Sequence, residues 1–104
     1  MNTNIIFKTP SLKRGEYFSI IKDINTNLEE LTEHLGDLES VEIKLYDTIE
    51  DNRYNNKAAL LNIKFEKDNF MQYHIANKWD KLIIDVFQRL IITVGLRSPK
   101  QLVY

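Results

Sequence analysis

Eight apolar residues between positions 17 and 38 fall at helical spacing, and no other feature constrains the fold as much. Tyr17, Ile20, Ile21, Ile24, Leu28, Leu31, Leu35 and Leu38 follow steps of three or four, which places them along one side of a helix. A stripe of that length has to be buried against a second layer. Gly36, just past the last full turn, suits a helix C-terminus. A second reading stays open, because Asn25-Thr26-Asn27 interrupts the stripe and Thr26-x-x-Glu29 has the form of a capping box. Tyr17 to Lys22 would then be a strand and the helix would begin at Asn27. The apolar phase crosses the interruption without a slip, which favours the single long helix.

The second layer is supplied by strands. Val41, Ile43 and Leu45 alternate with Glu42, Lys44 and Tyr46, and Ala59, Leu61, Ile63 and Phe65 alternate with Leu60, Asn62, Lys64 and Glu66. This is the period of half-buried strands. The polar stretch from Asp47 to Lys57 joins them as a long hairpin loop. Asn4 to Lys8 reads as a short first strand ended by Thr9-Pro10. Met71, Ile75, Trp79, Leu82, Ile83, Val86, Phe87, Leu90 and Ile91 predict a long last helix, capped near Asp68 or Asn69 and stopped at Gly95. Beyond Pro99, the tail from Lys100 to Tyr104 has room for a short strand. The expected fold is α+β: a small antiparallel sheet with two helices packed on one face, in the order β-α-β-β-α. Its other face is left partly open, with Tyr46 and Leu60 on it.

With 104 residues, 43% of them apolar and 28% charged, residues 1–104 read as a single α+β domain able to bury one core. There are no cysteines, which fits a reducing compartment. Met1 to Lys8 has no basic stretch followed by a long apolar one, and no apolar run approaches the roughly 20 residues needed to cross a bilayer. The expected location is the cytoplasm, with no membrane contact.

Catalytic signatures are missing. Three scattered glycines build neither a phosphate loop nor a dinucleotide fingerprint. His34 and His74 lie far apart in sequence, each without a helical histidine partner, so no metal site and no cofactor are expected. His34, one turn after Glu30, reads as half of a local ion pair, and Trp79 as a core residue.

Charge is distributed unevenly. The formal net charge is −1, yet nine acids lie between Glu29 and Asp51 against one base, Lys44. The remainder holds thirteen bases and six acids. An acidic surface steers a basic partner, repels phosphates and so disfavours nucleic acid. The basic residues Lys8, Lys13, Arg14, Arg97 and Lys100 form the lesser, opposing patch.

This profile of an Asn-rich, Ile/Lys-rich, cysteine-free chain with an acidic run from Glu29 to Asp51 resembles that of small bacterial toxin-immunity proteins, including the contact-dependent growth-inhibition type. The resemblance covers the whole chain in profile and carries no residue motif. It implies an inhibitor that covers the active site of a basic toxin domain, such as a nuclease. Glu39, Glu42, Asp47, Glu50, Asp51 and Tyr54 are the expected partner-binding residues. Two other classes stay open: an assembly subunit that oligomerises through the open sheet face, and a small enzyme using His74, Tyr73 and an acid.

Overall fold

The computed structural model describes residues 2–9, 12–48 and 56–97. The elements are β1 (Asn2–Lys8), α1 (Arg14–Leu35), β2 (Ser40–Thr48), β3 (Asn56–Phe65), β4 (Asp68–Ala76) and α2 (Trp79–Arg97). The strands form one sheet in the order β1-β2-β3-β4, with both helices on the same face. The α+β class and the two-helix layer therefore stand as expected. Two details differ. β1 pairs parallel to β2, so the sheet is mixed, because α1 carries the chain across and returns it to the same end. A fourth strand also occupies residues 68–76, where the apolar spacing predicts the first turns of the last helix.

The long helix is real. It spans the Asn-Thr-Asn interruption because those side chains bond within the helix. The Thr26 hydroxyl donates to the Lys22 carbonyl at 3.0 Å and the Asn27 amide to the Asp23 carbonyl at 2.8 Å. Glu16 accepts from the Lys13 backbone N–H at 3.4 Å and anchors the first turn. Gly36 ends the helix at φ +88°, with its N–H donated to the Thr32 carbonyl at 2.8 Å. Gly95, in contrast, does not end the last helix, which runs through it to Arg97.

One alternating face of the sheet and one stripe of each helix make the core. Across β2 and β3, Val41 lies opposite Ile63, Ile43 opposite Leu61 and Leu45 opposite Ala59. All are buried, with Ile20, Ile24, Leu28 and Leu31 of α1 and Leu82, Val86, Phe87 and Leu90 of α2. Trp79 joins the same cluster, as its phase predicts.

β4 escapes a periodicity reading because its core-facing positions are partly polar. Phe70, Gln72 and His74 lie opposite Ile63, Leu61 and Ala59 and so share their face. The two polar ones are matched by α2: the Thr93 hydroxyl meets the Gln72 amide oxygen at 3.2 Å, and His74 Nε2 lies 3.4 Å from Asp85 Oδ2. His74 is thus a strand residue turned toward a helix, not a helix-surface residue.

The β3–β4 turn hides itself too. Phe65 pairs with Asp68, and the two residues between them, Glu66 and Lys67, have φ of 52° and 69°. Positive φ at both positions is the two-residue hairpin geometry that favours Asn-Gly, and side chains other than Gly and Asn adopt it at a cost. Replacing Glu66-Lys67 by Asn-Gly is expected to stabilise the protein by about 1 kcal/mol. Thermal melting should then shift upward by roughly 4–8 °C. A lower melting temperature would mean that Glu66 or Lys67 makes contacts outweighing the backbone strain.

Candidate functional site

The chain direction gathers the helix N-termini at one end of the molecule. β1, β2 and β4 run the same way, since β1 is parallel to β2 while β3 is antiparallel to both β2 and β4. α1 follows the C-terminal end of β1 and α2 that of β4, so both helices start at the same end of the sheet. An open cleft of about 490 Å³ lies there, lined by Gly15, Glu16 and Ser19 of α1, Lys57 of β3, and Lys78 and Trp79 at the start of α2. Lys57 Nζ sits 5.4 Å from the centre of the Trp79 ring, a cation–π contact that holds the ammonium over the mouth of the cleft.

This end is the basic one. Lys8, Lys13, Arg14, Lys57, Lys78 and Lys81 meet there with Glu16, Asp23, Asp47 and Asp80. Two helix N-termini add roughly half a positive charge each. At the far end, where α1 finishes and β3 turns into β4, Glu29, Glu30, Glu33, Asp37, Glu39, Glu66 and Asp68 outnumber Lys64 and Lys67. The 22 residues of α1 hold these two poles apart by roughly 33 Å.

The described part of the acid run, Glu29 to Asp47, therefore does not form one surface. Glu39 lies in the turn before β2, with its Oε2 3.5 Å from Lys64 Nζ. Glu42 points to the open sheet face, 3.7 Å from Lys44 Nζ. Asp47 lies eight strand residues beyond Glu39, roughly 26 Å away, on the helix-facing side opposite Lys57. Glu50, Asp51 and Tyr54 lie outside the described residues. The six expected contact residues are thus not brought together among those that can be placed.

The dispersed enzyme site fares no better. His74 faces α2, while its neighbour Tyr73 faces the other side of the sheet, as adjacent strand residues must. His34 meets the backbone carbonyl of Glu30 at 2.9 Å through Nδ1, a contact with the main chain in place of the expected ion pair. Among the described residues no three His or acidic side chains are grouped to hold a metal ion, and no helix is long and apolar enough to cross a membrane.

No protein-family model matches the chain, and no curated protein matches it significantly. Solved structures do. The N-terminal domain of Protein Y from Thermus thermophilus superposes with a TM-score of 0.70 over 94% of this chain and 100% of its own, at 13% identity. A ribosomal subunit interface protein from Coxiella burnetii matches with a TM-score of 0.66, covering 95% of this chain and 99% of its own at 8% identity. The chain shares the fold of a ribosomal subunit interface protein.

That match corrects the functional expectation. The resemblance to toxin-immunity proteins rested on composition and on an acidic run whose described part, Glu29 to Asp47, the fold disperses, and neither structural neighbour is named as a toxin inhibitor. The expected basic toxin partner falls with it. So does the disfavouring of nucleic acid, which assumed that the acidic segment was the docking surface. Sequence reasoning noted Lys8, Lys13 and Arg14 but grouped them with Arg97 and Lys100. It missed Lys57, Lys78 and Lys81, which join them only once β4 is recognised and α2 is seen to begin at Trp79.

Proposed function

We propose that this protein is a cytoplasmic, non-catalytic ribosome-binding protein that docks at the subunit interface with its basic end against ribosomal RNA. The observation that carries the reading is the shared fold over nearly the whole chain, with a neighbour named for the ribosomal subunit interface. The charge layout supports the orientation. Lysine and arginine side chains at the paired helix N-termini suit phosphate oxygens, and the acidic far end is repelled by the same backbone, which leaves one way to approach.

Sedimentation through sucrose with purified small subunits, large subunits and whole ribosomes tests the proposal. The protein is expected to pellet with the small subunit or the whole ribosome at low salt. It should be released as salt rises, because phosphate contacts depend on counterion release. A protein that stays in the supernatant at micromolar ribosome concentration would overturn the reading.

A further inference from the structure

The face of the sheet turned away from the helices holds a feature that the basic end does not use. Two register rows cross all four strands there: Lys8, Tyr46, Ala58 and Ile75 in one, and Ile6, Lys44, Leu60 and Tyr73 in the next. The Tyr46 and Tyr73 rings approach across β3 with centroids 6.5 Å apart and a 34° tilt. Ala58 lies between their strands and is fully buried although it belongs to the open face and not to the core cluster. Its small side chain lets the rings close over β3. Tyr73 is still 42% exposed, and Met71 beside it on β4 is 59% exposed. No helix among the described residues covers this side.

The charge on the face decides what suits it. Lys8 and Lys44 flank the tyrosines, and Lys8 also belongs to the basic end, so the two surfaces are continuous. A second copy of the chain laid on this face would bring like ammonium groups together and bury the Lys44–Glu42 pair, both of which oppose association. A single-stranded polyanion avoids the first obstacle, and at the second a phosphate replaces the exposed Glu42 carboxylate at Lys44. Every base offers a π-face to stack on tyrosine, and its phosphates suit lysines alongside.

We infer that the open sheet face is a stacking platform for unpaired RNA bases. Tyr46 and Tyr73 are the stacking side chains, and Lys8 and Lys44 hold the phosphates. The choice of RNA as the polyanion rests on the ribosome reading; the platform itself does not.

Fluorescence anisotropy with end-labelled oligouridine and oligoadenine RNA of about ten nucleotides, a length within single-stranded binding site sizes, tests it beside the ribosome pelleting assay. The parent protein should bind both at low salt. Tyr73→Ala should weaken binding by at least about fivefold, the usual loss for one stacked base. Tyr73→Phe should keep it, and Tyr73→Leu should lose it as alanine does, because leucine keeps apolar area without the π-face. Circular dichroism checks that each variant is folded, and the Phe and Leu pair decides the matter should the alanine variant unfold. Full binding by Tyr73→Leu would overturn the platform, as would a concentration-dependent dimer abolished by Tyr73→Ala in a protein that binds no oligonucleotide. Pelleting with ribosomes alongside tyrosine variants of unchanged oligonucleotide affinity would sink the platform and spare the ribosome reading. Tyrosine-dependent oligonucleotide binding without pelleting would do the reverse.

Discussion

Phe87→Ala is expected to lower the stability of this protein by about 3–5 kcal/mol. Phe87 is the largest fully buried side chain among the described residues, and it sits on the stripe of α2 that faces the core. Truncation removes the transfer free energy of the ring and leaves a cavity that a packed interior closes only in part. A domain of this size is stable by roughly 5–15 kcal/mol, so the loss removes a large share of the total. Urea titration should show a lower midpoint with an unchanged slope if the variant still unfolds in two states. Ile92→Ala on the same helix is the control. Ile92 is 61% exposed, and surface truncations of this kind stay within about 0.5 kcal/mol. Equal losses at the two positions would mean that α2 is rotated about its axis relative to the sheet.

The contrast between Phe87 and Ile92 shows what hydrophobic spacing makes legible. Where a stripe is purely apolar, as from Ile20 to Leu35, the element follows from spacing alone, even across Asn-Thr-Asn. β2 and β3 were legible for the same reason, since Val41 to Leu45 and Ala59 to Phe65 alternate without a polar residue on the core side. β4 was not. Gln72 and His74 occupy core-side positions because Thr93 and Asp85 of α2 satisfy them, and no local rule anticipates a partner twenty-one or eleven residues away. Met71 and Ile75, four apart, mimic a helical step while lying on the open face of a strand. The turn before β4 carries Glu-Lys where Asn-Gly would have announced it. With that strand unread, the start of α2 is misplaced, and the bases at 78 and 81 are never set beside those at 13 and 14. The basic end is a product of topology. The acids from Glu29 to Asp47, by contrast, are neighbours in chain order that the fold pulls apart, which is why linear charge pointed to the wrong partner.

Reversing four exposed bases at the helix N-termini (Lys13, Arg14, Lys78 and Lys81, each to Glu) should lower ribosome affinity on the order of a thousandfold near 0.1 M salt. Each lost phosphate contact removes about one counterion release, so the dependence of log affinity on log salt should also flatten by roughly three to four. The new carboxylates add repulsion to the loss. Unfolding does not explain this outcome, because all four side chains are exposed and acids near a helix N-terminus stabilise the helix by interacting with its dipole. Lys57 is left intact for its contact with Trp79. The matched control reverses Glu29, Glu30 and Glu33 to Lys at the far end of α1. If the basic end is the docking surface, that control binds at least as tightly as the parent, since it weakens the repelled pole. Were the acid-reversed protein to lose binding while the base-reversed one kept it, the protein would approach its target by the opposite end, and the orientation proposed above would be inverted.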